Sequence, residues 1–316
     1  MLRPVVRRLL LSLPLLLGVT FLTFVLEAIT PGNEALAILG TSANPQQVAA
    51  LTKKLGLDQP FYVQYWHWLD GVLDGHLGTS AVTGVPVAAT LNSHLSVTLW
   101  LIGGALLMAA VFGICFGVLS AVRGGAVGKL VDIISLGGLA VPTFWLGYLL
   151  VLLVSVKLGW LPAVGYVGIG QSVPGWARSL VLPVVTLGVG GVALVAKQAR
   201  DAMLDVLSRE FVRSLRARGL STRSIVLKHA LRAAMPNVVT LMGLYVVSLL
   251  LGTAVVETVF ALPGLGSEIV TATSQHDLRL VDGASLYFTL IVVVVFTVAD
   301  LVSAWLDPRL RTGGQR

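Results

Sequence analysis

The chain has 316 residues, of which 56% are hydrophobic and only 12% are charged, and its mean hydropathy is +0.88. Soluble domains carry about a quarter charged residues, so this composition excludes a water-exposed fold for most of the chain and predicts an integral membrane protein surrounded by lipid. The net charge of +7 could indicate nucleic acid, but the basic residues stand between apolar runs, so we predict no nucleic-acid partner.

Six apolar segments are long enough to cross a bilayer, for which a helix needs about 20 residues. They lie at residues 9–28, 95–122, 130–156, 180–196, 238–259 and 283–306. We therefore predict an all-α integral membrane fold with six transmembrane helices. The first segment follows three arginines, as a signal peptide does, but its apolar stretch outlasts the usual length of about 7–15 residues, so we expect it to be retained. Cys115, which lies in the second segment, is the single cysteine, so an intrachain disulfide is excluded.

The distribution of Lys and Arg predicts the orientation, because positive charge near helix ends stays in the cytoplasm. With a cytoplasmic amino terminus, sixteen of the 22 basic residues face the cytoplasm, and Lys197 lies at the inner end of the fourth span. The outer side then holds only Lys53, Lys54, Lys157, Arg178 and Arg279. Both termini are therefore predicted to be cytoplasmic.

These spans predict the organisation of the chain. Residues 1–29 form an amino-terminal tail and the first span, 30–94 an extracytoplasmic region, 95–306 a core with five spans, and 307–316 a cytoplasmic tail. The outer region contains a helix-compatible stretch at Pro45–Leu55 and an aromatic cluster with amphipathic spacing. The cluster comprises Phe61, Tyr62, Tyr65, Trp66 and Trp68. We predict a helix that lies on the membrane interface or on the helix bundle, with direct contact to a substrate as the alternative.

The inner segment at residues 200–235 predicts a helix, a glycine turn and a second helix. Its apolar residues recur at helical spacing and form a stripe: Met203, Leu204, Leu207, Phe211 and Leu215. Gly219 can take the left-handed conformation that ends a helix, and Ser221 can cap the next helix, which runs toward His229. The spacing leaves two alternatives open, docking of a partner protein or an amphipathic helix on anionic lipid headgroups.

Several separated blocks resemble the permeases of dipeptide and oligopeptide ABC importers, and the resemblance covers nearly the whole chain. The most specific is EFVRSLRARGLS at 210–221 with KHALR at 228–232, which is similar to the EAA loop of that family. The others are LGLDQP at 55–60, LGTS at 77–80, ETVF at 257–260, PGLG at 263–266 and DPRLR at 307–311. The outer blocks resemble the first permease subunit.

Two departures from the family pattern limit what the resemblance implies. The positions of the Glu-Ala-Ala triplet hold Arg213, Ser214 and Leu215, although peptide-type permeases also lack that glutamate. After the first span the family shows Pro-Gly-Asp, whereas this chain has Pro31, Gly32 and Asn33. A role that depends on that carboxylate therefore does not carry over.

The resemblance implies a type I ABC importer permease fold in which the EAA segment is a coupling helix that fits a groove on an ATPase subunit. Carried over position by position, the ATPase-coupling residues are Glu210, Arg213, Ser214, Leu215, Ala217, Arg218, Gly219, Leu220 and Ser221. Glu257 and Phe260 are candidates for lining the translocation path or bracing its outer gate. In the inner membrane of a bacterium, such a chain would couple movement of its spans to ATP hydrolysis elsewhere.

The family also implies the partners and cofactors. These are a second, homologous permease subunit, two ATP-binding subunits that hold ATP and Mg²⁺, and an extracytoplasmic solute-binding protein. No cofactor and no metal is expected on this chain. Peptides are the first expectation for the substrate, with a nickel chelate or glutathione as alternatives in the same family.

Enzyme chemistry is not predicted for this chain, and no catalytic residue is proposed. The sequence RGGAVGKL at 123–130 imitates a phosphate-binding loop but lacks its first glycine and its final hydroxyl, and the five histidines have no metal-ligand spacing. A secondary transporter or channel is the main rival, which the scarcity of intramembrane charges disfavours. A membrane scaffold or sensor that docks a signalling partner is a further alternative.

Overall fold

Helices make up almost all of the regular structure in the computed structural model, which describes residues 2–30, 34–40 and 43–306. Within these residues the only other element is an isolated antiparallel bridge between Thr79 and Pro86. The helices are α1 (Leu2–Ile29), α2 (Glu34–Leu39), α3 (Pro45–Leu55), α4 (Phe61–Leu73), α5 (Val87–Arg123), α6 (Gly125–Ala140), α7 (Thr143–Lys157), α8 (Val173–Ser208), α9 (Glu210–Ala217), α10 (Thr222–Val259), α11 (Leu265–Ser274) and α12 (Leu278–Leu306).

Five described helices are long and apolar enough to cross a membrane, namely the 10–29 part of α1 together with α5, α8, α10 and α12. The all-helical membrane fold is thus confirmed. Three of these helices extend well beyond the predicted spans. For example, α8 has 36 residues and α10 has 38, because the segment between their apolar parts is itself mostly helical.

The third predicted span, 130–156, is wrong as one continuous helix. α6 ends at Ala140, and α7 begins at Thr143 after an extended Val141 with φ −78° and ψ 121°. Pro142 explains the break, because proline has no N–H to donate and its ring disfavours the helical conformation of the residue before it. The apolar stretch is therefore divided between two shorter helices.

The chain divides into two compact units, of which the first contains Met1–Thr98 and Pro263–Val293. Its α3 begins with a capping box, in which the Asn44 side chain accepts from the Gln46 N–H at 3.0 Å and Gln47 reaches back to the Asn44 N–H at 3.3 Å. This helix has the bounds predicted from the sequence. Its last turn ends at Gly56, which takes the left-handed conformation.

The predicted aromatic helix is α4, and it packs along α1. Tyr65 and Trp68 are buried against Phe24, and the Tyr65 hydroxyl donates to the Leu17 carbonyl oxygen at 3.2 Å. Trp66 is on the other face and is 64% exposed. The aromatic residues on one face of α4 are therefore buried against α1, and packing on the helix bundle was one of the two positions predicted for this helix.

The second unit contains Leu99–Leu262 and Val294–Arg316, with α8 at its centre. α8 contacts the carboxyl-terminal part of α5, as well as α6, α7 and α10. The backbones of α5 and α8 come very close at Gly117, where a Cβ atom would lie 2.5 Å from the Ala196 carbonyl oxygen. Small residues at such a crossing are typical of membrane helices, which associate through close van der Waals packing.

Two motifs from the sequence analysis lie outside the described residues. These are the Pro31, Gly32 and Asn33 stretch and the DPRLR block at 307–311 within the predicted tail 307–316.

Candidate functional site

The segment that resembles the EAA loop begins where α8 ends. Arg209 has an extended backbone with φ −71° and ψ 150°, and it separates α8 from α9. Its guanidinium contacts the Asp205 carboxylate at 2.6 Å. The apolar stripe predicted from Met203 to Leu215 therefore does not lie on one helix, and that prediction is wrong. The periodicity continues across the break because a single extended residue displaces the pattern too little to be visible in the sequence.

Helix α9 is held to its own chain by one buried residue and exposes most of the others. Val212 is fully buried, whereas Phe211 is 41% exposed. Arg213, Arg216 and Arg218 are exposed as well. The helix contacts the end of α8 and the start of α10. An exposed aromatic ring among arginines on a helix this short is a composition typical of protein interfaces.

A tight turn joins α9 to α10. The Gly219 N–H donates to the Arg216 carbonyl oxygen at 2.9 Å, and the Leu220 N–H donates to the Leu215 carbonyl oxygen at 3.3 Å. This is a Schellman motif, and it requires the left-handed conformation that Gly219 adopts, with φ 82°. The Ser221 hydroxyl then accepts from the Ser224 N–H at 3.4 Å and caps α10. Both backbone features were predicted from the sequence.

A packed apolar cluster lies where α8 ends and α10 begins. It joins the ends of α5, α8 and α10 and consists of Ala121, Ala202, Met203, Val206, Val226, Ala230 and Ala234. Met203 and Ala230 are completely buried. Because α9 contacts both α8 and the start of α10, a displacement of α9 would be transmitted to these long helices, since close-packed interiors transmit strain rather than absorb it.

An ion pair that the sequence analysis missed ties α8 to α6. The Arg200 guanidinium Nη1 lies 3.3 Å from Asp132 Oδ1 and 3.8 Å from Asp201 Oδ1. The sequence analysis included Arg200 only among the cytoplasmic basic residues. The two residues are 68 positions apart, so no local spacing could have revealed the pair.

The two candidates for the path or gate, Glu257 and Phe260, lie at the end of α10 and are both buried, with 0% and 2% exposure. The Glu257 carbonyl oxygen accepts from the Leu262 N–H at 2.8 Å, and the Phe260 carbonyl oxygen accepts from the Gly165 N–H at 2.9 Å. The first bond closes the end of α10, and the second ties that end to the loop before α8. Their burial within this chain favours bracing over direct lining of an open path.

In the described residues, five helices are long and apolar enough to span a membrane, and a further apolar stretch is divided at Pro142. This arrangement is that of a multi-pass membrane protein. The family described as "Binding-protein-dependent transport system inner membrane component" matches residues 113–312, and its amino-terminal counterpart, "Binding-prot-dependent transport system membrane comp, N-term", matches residues 1–100. The chain belongs to this family. It is a multi-pass inner membrane protein and a permease subunit of an ABC importer.

Relatives and a solved structure are consistent with this family. "Glutathione transport system permease protein GsiC" of Salmonella typhimurium (strain LT2) is 39% identical over 312 residues, which cover 98% of this chain and 99% of the relative. The protein of the same name from Escherichia coli (strain K12) is 38% identical with the same coverage. The fold is similar to a chain of the MetNI methionine ABC transporter in an inward-facing conformation, with a TM-score of 0.53 and 18% identity over 70% of this chain and 97% of that chain.

Proposed function

We propose that this chain forms part of the translocation path for glutathione or another short peptide and that residues 210–221 dock on an ATPase subunit. The supporting observation is the exposed surface of α9, where Phe211, Arg213 and Arg216 stand on a helix anchored by the single buried Val212. The apolar ring would bury against the partner, and the arginines would pair with carboxylates at the rim, which orient a complex more than they tighten it.

The family implies ATP-binding subunits and a solute-binding protein as partners. We propose further that ATP and Mg²⁺ are held by two separate ATP-binding subunits, that a second, homologous permease completes the path, and that no cofactor resides on this chain. The 38–39% identity to glutathione permeases supports glutathione as the first solute to test, with other short peptides next. In this assembly, Glu257 and Phe260 would brace the outer end of α10.

Uptake by the reconstituted assembly tests this function. We expect proteoliposomes that contain the chain with its ATP-binding subunits and solute-binding protein to accumulate labelled glutathione only when ATP is supplied. Phe211→Ala should lower both uptake and solute-stimulated ATP hydrolysis several-fold, because its ring is exposed for contact with a partner. Tyr62→Ala, which removes a 52% exposed ring from the outer helix α4, is the matched control and should leave coupling intact. Accumulation without any ATPase subunit would instead indicate a secondary transporter.

The predicted orientation places both termini and residues 210–221 in the cytoplasm. Because Cys115 is the single cysteine, Cys115→Ser gives a cysteine-free background. In that background, Asp70→Cys on α4 should react with a membrane-impermeant maleimide in intact cells, whereas Ser214→Cys on α9 should react only after lysis. Both positions are exposed, so accessibility within the chain does not differ. The reverse labelling pattern would overturn the orientation.

A further inference from the structure

Four carboxylates and one arginine from distant parts of the chain lie close enough in the first unit to act on one another electrostatically. Glu27 near the end of α1, Glu34 at the start of α2 and Asp282 in α12 interact electrostatically with one another and with Arg279. Asp277, just before α12, also acts on Glu34. One guanidinium can neutralise only one carboxylate, so the group carries an excess of negative charge whenever two or more of these carboxyls are ionised.

Three of these carboxylates each keep one buried oxygen that has no hydrogen-bond partner in the described part of the chain. These atoms are Glu27 Oε1, Glu34 Oε1 and Asp282 Oδ1. Glu34 is only 4% exposed and Asp282 only 2%. Asp277, by contrast, accepts from the Ser80 hydroxyl and from the Leu280 N–H. Buried polar atoms are nearly always paired, so three orphan oxygens in one cluster indicate a missing donor.

A cavity of about 220 Å³ adjoins the cluster, and Glu27 and Glu34 both line it. Its other walls include two aromatic rings, Phe24 and Phe61, together with the Gln64 amide and two threonines. None of the described lining residues is basic. Two acidic side chains and two aromatic rings therefore line this cavity, and its described lining holds no cation.

We propose that this cavity binds a primary ammonium group. An ammonium brings three donors for carboxylate, hydroxyl and amide oxygens, and aromatic rings attract a cation when they face it. A hard divalent cation would require about six to eight oxygen ligands, whereas no group of three His, Cys, Asp or Glu side chains in the described residues is arranged to hold a metal. The volume suits a small alkylammonium or the end of a lysine side chain.

Glu34 gives the site a dependence on pH. Burial raises the pKa of Glu34 from 4.5 to about 7, with Arg279 opposing and Asp277 reinforcing the rise. Glu27 and Asp282 also face it, and the lining residues of α3 and α4 are not titratable. Since the carboxylate binds a cation only after losing its proton, and a primary ammonium stays protonated here, affinity should rise about tenfold from pH 6 to pH 8.

Calorimetric titration tests the site with ethylammonium chloride as the probe and NaCl at equal ionic strength as the reference. The protein is the full chain in lipid nanodiscs with the subunits that co-purify with it. We expect saturable binding that strengthens from pH 6 to pH 8 and weakens at least about tenfold in Glu27→Gln and Glu34→Gln, because each removes one anionic ligand. Asp70→Asn, which neutralises an exposed carboxylate on α4, should leave binding unchanged.

Two further experiments, one of displacement and one of cross-linking, identify the source of the ammonium group. Displacement of ethylammonium by glycylglycine but not by N-acetylglycylglycine would assign the site to the free amino group of a small solute. A carbodiimide cross-link from Glu34 to a co-purified protein, lost in Glu34→Gln, would assign it to a lysine of a partner. Absence of binding beyond the NaCl reference, or equal binding at pH 6 and pH 8, overturns the proposal. Uptake is not measured, so the outcome is independent of the transport function.

Discussion

Gly219→Val should lower transport and solute-stimulated ATP hydrolysis about tenfold while the protein still inserts in the membrane. Gly219 has φ 82°, and an L-residue with a side chain pays about 1–2 kcal/mol for the left-handed conformation, more when it is β-branched. That cost equals a shift of about tenfold in the population that keeps the Schellman turn. Because the turn sets the position of α9 on α10, its loss would remove the docking surface without removing a span.

The requirement at Gly219 is one of backbone conformation within this chain. Apart from the neighbouring residues in the chain, no heavy atom of the described residues lies within 4 Å of the position that a Cβ would occupy there, so added bulk meets open space. Asparagine tolerates the left-handed conformation better than other L-residues, and Gly219→Asn should therefore retain most of the activity. Uptake and ATP hydrolysis in proteoliposomes, compared with the amount of inserted protein, measure the separation between coupling and folding.

Gly159→Val is the matched control for this experiment. Gly159 also has a positive φ, 65°, and also has open space around its Cβ position, but it lies in the loop after α7. The same substitution should introduce a similar local strain there without disturbing residues 210–221. Wild-type coupling in Gly219→Val, or an equal loss in both variants, would contradict the assignment of this turn to ATPase coupling.

The sequence was most informative where function depends on local backbone chemistry. The apolar runs predicted the membrane helices, since a span must satisfy its own backbone hydrogen bonds. Gly219 and Ser221 were recognisable because a left-handed turn and a helix cap each select particular residue types. The aromatic spacing of α4 likewise predicted a helix with one face to bury.

Features that depend on the meeting of distant residues were not predictable. The pair of Arg200 and Asp132 joins positions 68 residues apart, and the carboxylate cluster joins Glu27 to Asp282 across most of the chain. The single extended residue Arg209 was missed because hydrophobic periodicity is insensitive to one displaced residue. Tertiary contacts decide these features, and a single sequence carries no direct record of them.

Gly117→Ala should destabilise the second unit strongly, because it introduces a methyl group where two helices touch. The new Cβ would lie 2.5 Å from the Ala196 carbonyl oxygen, 2.7 Å from the Ala199 Cβ and 3.0 Å from the Arg200 N atom. Two of these are backbone atoms, which cannot rotate away as a flexible side chain can, so α5 and α8 must separate. Overpacking costs about 1–3 kcal/mol even where side chains yield, and we expect a loss at or above the upper end of that range.

Gly103→Ala on the same helix is the control. It distinguishes the effect of overpacking on stability from the effect of the higher helix propensity of alanine. Outside the helix's own backbone, no described heavy atom lies within 4 Å of a Cβ at Gly103. Alanine should therefore be neutral or slightly stabilising there, since it favours a helix over glycine by about 1 kcal/mol. The apparent Tm in detergent should therefore fall for Gly117→Ala and hold or rise for Gly103→Ala. Equal Tm values would show that α5 and α8 do not approach this closely. Because Arg200 follows the crossing, a separation there would also weaken its ion pair with Asp132.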